Sequence, residues 1–238
     1  MSLFVISDLH LATADRNKSM EVFGNRWKDY MQRIKNNWSK VVSTDDTVVI
    51  PGDISWGLMA EDALSDLLWL DSLPGKKIIL KGNHDFWWTT LAKIEKLFME
   101  NNITTITLLQ NHAIEVENYI IAGSRGWFTD RSMQPDDEKT DYDKIVNREA
   151  IRLEISLKEA TIIKEATGKE ILVFMHFPAV WSEFKCEPIL DVINKYKVNT
   201  CYFGHIHGVY NVPEAVKYGS VTFKMISADF LDFIPRII

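Results

Sequence analysis

Short apolar runs alternate along this chain with segments of helical periodicity. Leu3–Ser7, Thr47–Pro51, Lys77–Lys81, Glu170–Met175 and Thr200–Phe203 have strand length and favour β-branched or aromatic residues. Phe23, Trp27, Tyr30, Ile34 and Trp38 recur at helix spacing, which predicts one helix running through them. The same spacing predicts helices around Ala60, Leu64, Leu67 and Leu68, around Leu91, Ile94 and Phe98, around Leu153, Leu157 and Ala160, and around Ile189, Ile193 and Tyr196. Strands alternating with helices imply an α/β sheet with parallel stretches. Thr104–Gly123 and Gly208–Ile226 break that rhythm and read as successive short strands, either antiparallel additions or a second sheet. Ser124–Asp143 is polar and carries Pro135, Asp136 and Asp137, so residues 124–143 read as a surface loop or lid. No repeat or linker divides the chain, and a single domain over 1–238 is the economical expectation.

Composition narrows the classes. Across 238 residues, 46% are hydrophobic and 25% charged, as in an ordinary globular protein. The formal net charge of -6 disfavours nucleic acid as a partner, because sequence-independent binding of it needs a basic surface. Cys186 and Cys201 form no close-spaced ligand pair and read as buried thiols of a reducing compartment. The opening residues lack a basic start with an apolar stretch, and no apolar run approaches the ~20 residues that cross a bilayer. The expectation is a cytoplasmic protein without a membrane partner.

Candidate chemistry collects at strand ends. Five of the six histidines directly follow predicted strands, among Asp, Asn and Gly. His10 lies in Asp8-Leu9-His10, His84 in Gly82-Asn83-His84-Asp85, and His205 and His207 in Gly204-His205-Ile206-His207. His176 follows Glu170–Met175, and Asp53 closes another strand in Pro51-Gly52-Asp53. Open α/β sheets gather ligands at the carboxyl ends of their strands. Residues two apart in an extended segment share a side, so Asp8 with His10 and His205 with His207 can each aim two groups at one cluster. Carboxylate, amide and imidazole without thiolate suit manganese, iron or zinc.

Asp8-x-His10, Gly52-Asp53, Gly82-Asn83-His84-Asp85, His176 and Gly204-His205-x-His207 occur together in an order that resembles the calcineurin-like metallophosphoesterase family. The resemblance implies two mixed β-sheets packed as a sandwich flanked by helices, with the site at one edge. It also implies two divalent transition-metal ions. Asp8, His10 and His207 would hold the first, Asn83, His176 and His205 the second, and Asp53 would bridge them. The implied reaction is cleavage of a phosphomonoester or phosphodiester by metal-activated hydroxide, with His84 off the metals as the general acid.

Departures bear on the substrate. Protein Ser/Thr phosphatases that this core resembles continue Gly-Asp-x-x-Asp-Arg-Gly, whereas this chain reads Gly52-Asp53-Ile54-Ser55-Trp56-Gly57. Trp56 supplies no carboxylate to orient His84, so a small phosphorylated molecule is the better expectation. Arg125 and Trp127 are further candidate substrate contacts: a guanidinium can fork onto phosphate, or pair with a nearby carboxylate instead. The alternatives are a binding or scaffold protein on the same fold, which the complete ligand set disfavours, and a nuclease, which the acidic balance disfavours.

Overall fold

The computed structural model describes residues 1–13, 18–127 and 141–238. In chain order the first half contains β1 (Leu3–Val5), α1 (Tyr30–Val41), β2 (Thr47–Pro51), α2 (Ala60–Asp71), β3 (Lys76–Leu80) and α3 (Leu91–Glu100). Next come β4 (Ile106–Leu108), β5 (Ile114–Val116), β6 (Tyr119–Ser124), α4 (Tyr142–Thr167) and β7 (Glu170–Met175). The chain ends with β8 (Val180–Trp181), β9 (Phe184–Lys185), α5 (Glu187–Lys195), β10 (Thr200–Phe203), β11 (Ala215–Tyr218), β12 (Val221–Met225) and β13 (Arg236–Ile237).

These elements form two large mixed sheets flanked by helices, the α/β sandwich that the resemblance implies. One sheet has the order β13-β1-β2-β3-β4 and the other β11-β12-β10-β7-β6-β5, while β8 and β9 make a separate hairpin. β1 to β4 run parallel, as do β6, β7, β10 and β12, and the antiparallel strands β13, β5 and β11 lie at the edges. Thr104–Gly123 therefore serves both sheets, with β4 parallel in the first and the β5–β6 hairpin in the second.

Alternation of side chains along β7 explains the layering. Leu172 and Phe174 join the apolar cluster shared with the first sheet, α1, α2 and α3. Ile171, Val173 and Met175 point the other way, into the cluster with α4 and α5. Both faces of this strand are buried, which is why it reads as a continuous apolar run. Leu231 and Phe233 fold back onto the first cluster, so the apolar C-terminal segment covers the chain's own core.

The first predicted helix is shorter than its periodicity. Met20–Phe23 and Asn25–Trp27 are 3-10 turns, separated by Gly24 at φ 112°. Asp29 at φ 52° then interrupts the chain before α1. Phe23 is exposed, whereas Trp27, Tyr30, Ile34 and Trp38 are buried. Four of the five positions thus keep the apolar spacing although the backbone is not one helix. Residues 128–140 of the expected loop or lid lie outside the described residues. At its flanks Ser124 ends β6, Asp141 caps Lys144 N–H, and Tyr142 and Asp143 already belong to α4.

A backbone seam joins the sheets at their carboxyl edge. Ser7 and Ser227 form a parallel bridge, with Ser7 N donating to Ile226 O at 2.8 Å and Ala228 N donating to Ser7 O at 2.9 Å. Among the described residues no helix is long and apolar enough to cross a membrane.

Candidate metal centre

The seam brings the two sets of strand ends face to face. Asp8 and His10 follow β1, Asp53 follows β2 and Asn83 follows β3, while His176 follows β7 and His205 and His207 follow β10. One group consists of Asp8, His10 and His207, and a second of Asp53, His176 and His205. Asp53 also faces the first group: its Oδ2 lies 3.6 Å from His10 Nε2 and 3.4 Å from His176 Nε2. Asn83 Oδ1 lies 2.6 Å from His176 Nε2 and 3.0 Å from His205 Nδ1. His10 and His207 point their Nε2 atoms at each other across 3.2 Å, and His207 Nε2 is 3.4 Å from Asp8 Oδ1.

The backbone is bent to make this approach. Asp8, His10, Asp53 and His205 all have positive φ, between 46° and 68°, in a region that residues with a side chain rarely enter. Such residues cost of order 1 kcal/mol or more each and cluster at functional sites. At Gly82 an added Cβ would overlap Asp53 Oδ1, and at Gly204 it would overlap Asp8 Oδ2. Glycine is required at both places by crowding and not by φ.

Two aspartates support the centre that the sequence motifs do not assign. Asp85, the last residue of Gly-Asn-His-Asp, is fully buried and accepts the backbone N–H of Asp53, Ile54, Ser55 and Gly82 at 2.8–3.2 Å. It also accepts Trp87 Nε1–H at 2.9 Å, so one carboxylate fastens the β2 and β3 loops together. Asp229, beyond β12, accepts His207 Nδ1–H at 2.8 Å, Gly208 N–H at 3.0 Å and the Tyr210 hydroxyl at 3.1 Å. The burial of Asp85 was foreseeable only in that it belongs to a motif. Asp229 stands in Ser227-Ala228-Asp229-Phe230, which carries no motif.

The electrostatics are those of lone pairs crowded away from water. Burial pushes the imidazoles of His10 and His176 well below the ordinary value and that of His205 down to about 4. Burial, together with the Asp8 and Asp85 carboxylates, pushes Asp53 well above the ordinary carboxylate range. His207 is the exception: burial opposes its charge, but hydrogen bonds to Asp229 and Asp8 hold it up at about 10. His10 Nδ1 is buried with no hydrogen-bond partner among the described residues. Three neutral imidazoles, an amide oxygen and paired buried carboxylates fit divalent cations, whose charge would relieve the repulsion and displace the His207 proton.

His84 sits at the rim. Its backbone N–H donates to Asp53 Oδ1 at 2.8 Å. Its imidazole is flanked by rings, with centroids of Trp56 at 4.4 Å, His10 at 5.6 Å and Phe86 at 6.3 Å. Trp56 also stacks on His10 at 5.0 Å, so an aromatic plane flanks both rings and no carboxylate stands at this position. Arg125 and Trp127 lie in neither Asp/His group. The Arg125 guanidinium stands 4.5 Å over the Trp127 ring and 3.7 Å from Glu149 Oε1, so it pairs with a neighbouring carboxylate.

Residues 1–209 match the calcineurin-like phosphoesterase family. The chain belongs to this family. The Gene 66 protein of Mycobacterium phage L5 is 35% identical over 81 residues, which span 33% of this chain and 37% of that protein. Among solved structures, TT1561 of Thermus thermophilus has the same fold, with a TM-score of 0.58 and 9% identity over 96% of this chain and 89% of that one. A protein of unknown function from Aquifex aeolicus, AQ665, gives a TM-score of 0.45 at 17% identity, covering 99% of this chain and 95% of that one. Family membership and the two Asp/His groups support a metal-dependent phosphoesterase as the broad class.

Proposed function

We propose that the chain hydrolyses a phosphomonoester or phosphodiester of a small molecule at a dinuclear metal centre. Asp8, His10 and His207 would hold one ion, and Asn83, His176 and His205 the other, with Asp53 shared. The observation that carries this reading is the position of Asp53 Oδ2, within 3.6 Å of a histidine from each group. Ions held there would supply Lewis acidity toward phosphoryl oxygens and a water of lowered pKa near neutral pH. The chain's residues do the rest. Asp229 holds the His207 ring so that Nε2 faces inward, and Asp85 holds the Asp53 and Gly82 backbones in register.

His84 is the proton donor to the leaving oxygen in this reading. Burial lowers its pKa, and the Asp8 carboxylate opposes that shift. An incoming phosphate dianion adds negative charge beside the ring and raises its proton affinity when the leaving group needs it. Trp56 and Phe86 limit the ring's motion without supplying a counter-charge.

The test is metal analysis of purified protein with hydrolysis of p-nitrophenyl phosphate and bis(p-nitrophenyl) phosphate. The expected result is about two manganese, iron or zinc ions per chain, activity abolished by chelator and restored by metal, and no turnover in Asp53→Asn. Undiminished hydrolysis in Asp53→Asn sinks the mechanism. Metal binding without hydrolysis of any phosphoester would favour the scaffold reading.

A further inference from the structure

The structure holds a cavity of about 250 Å³ whose lining includes Lys81, Gln110, Arg125, Arg148, Glu149 and Arg152. Four cations surround one carboxylate, giving a local balance of +3 in a chain whose formal charge is -6. Glu149 is buried, and its Oε1 lies 2.6 Å from Arg152 Nη1, 3.7 Å from Arg125 Nη2 and 4.0 Å from Arg148 Nε. Only the first of these is a close contact. Arg125 Nε is buried with no hydrogen-bond partner among the described residues, and Glu149 Oε2 likewise. The Lys81 ammonium donates to Trp88 O at 3.2 Å, which leaves further donors unused. A single carboxylate cannot neutralise this set.

The cavity also has a fixed relation to the metal centre. Lys81 immediately precedes Gly82-Asn83, and Arg125 O accepts the N–H of Phe177, the neighbour of His176, at 2.9 Å. The Asp53 carboxylate is among the charges that act on Arg125. Guanidinium forks match the oxygen spacing of phosphate, and the amide of Gln110 and hydroxyl of Ser124 add neutral polar groups at the wall.

We propose that this pocket is a second anion subsite that takes a phosphate group of the substrate other than the one being cleaved. The substrate class is then a small molecule carrying two phosphate groups, one over the metals and one against Arg125, Arg148 and Arg152. This rests on the phosphoesterase reading for its use in catalysis, but anion binding by the pocket does not.

The experiment is calorimetric titration of inorganic phosphate into the wild type, Asp53→Asn, and Asp53→Asn combined with Arg148→Ala and Arg152→Ala. Arg148 and Arg152 are 55% and 38% exposed, but Arg152 makes the close contact to buried Glu149, so thermal melting of each variant checks that the fold is kept. Asp53→Asn alone should retain a phosphate site. The added arginine substitutions should weaken it at least ~10-fold, as expected for lost charge-assisted hydrogen bonds. Arg152→Lys, which keeps the charge but not the fork, should recover only part of the affinity. Phosphate affinity independent of Arg148 and Arg152 overturns the proposal. In otherwise wild-type enzyme the arginine pair should lower kcat/KM for bisphosphates at least ~10-fold more than for p-nitrophenyl phosphate, and equal losses also overturn it. If the wild type hydrolyses nothing while phosphate still binds through the arginines, the esterase reading falls and the pocket stands.

Discussion

His207 and Asp229 form a hydrogen-bonded pair, Nδ1 to Oδ1 at 2.8 Å, that links the last strand-end motif to a carboxylate 22 residues downstream. The bond fixes which ring nitrogen is left facing Asp8 and His10. Supporting carboxylates of this kind typically contribute ~10–100-fold to metal affinity. Asp229→Asn is expected to weaken metal binding by that factor with the fold intact, measured by competition against a chelator of known affinity. Unchanged affinity would mean that His207 is not a ligand or that its orientation is set elsewhere.

His84→Gln separates proton transfer from metal binding. The His84 side chain lies outside both Asp/His groups, so metal content should stay at the wild-type level. Turnover should fall ~10²–10⁴-fold, the usual range for loss of a general acid. The loss should shrink for substrates whose leaving group needs no proton, and p-nitrophenyl esters compared with alkyl esters give that readout.

Gly82→Ala should disable the centre without replacing a ligand. Its new methyl would overlap Asp53 Oδ1 and the Asp53 backbone nitrogen, in a loop already tied down by Asp85. Overpacking of this kind destabilises by about 1–3 kcal/mol. A lowered Tm together with loss of metal is expected. A variant with full metal content and activity would show that the loop gives way more readily than its hydrogen bonds imply.

Metal-free protein should reveal the buried histidines in its pH dependence. Burial holds His205 at about 4, against an ordinary value of 6.5. Between those values the unfolded chain binds a proton that the folded one refuses, so stability falls as pH drops through this window. The Tm of metal-free wild type should therefore decline more steeply from pH 6.5 to pH 4 than that of His205→Gln. Parallel curves would show that His205 is protonated in the folded state.

Legibility of the sequence followed the range of the forces involved. The strand runs β2, β7 and β10 have the same limits in sequence and structure, because strands buried on both faces must be apolar throughout. Asp8, His10, Asp53, Asn83, His176, His205 and His207 stand out because each abuts such a run, and parallel strands deliver their ends to one edge. The helix expected from Phe23 onward starts only at Tyr30, because 3-10 turns preserve nearly the same spacing before it and the positive φ of Asp29 leaves no mark in composition. Asp229 escaped notice for another reason. It reaches His207 through the fold, and a lone Asp after an edge-paired strand looks like any surface acid. Arg125 was visible as a phosphate candidate, but its partners Arg148 and Arg152 are ordinary helix residues until α4 packs on β6.

The seam at Ser7 and Ser227 has a dynamic consequence. It lies one residue from Asp8 and two from Asp229, and the donors on its two sides belong to different sheets. Ions spanning those donors would act as a rivet between the two halves, added to the backbone seam and the hydrogen bonds that already cross it. With the rivet in place, amide exchange in β1 and in β12 should slow together, as one cooperative unit. Without it, the two halves are free to breathe at separate rates.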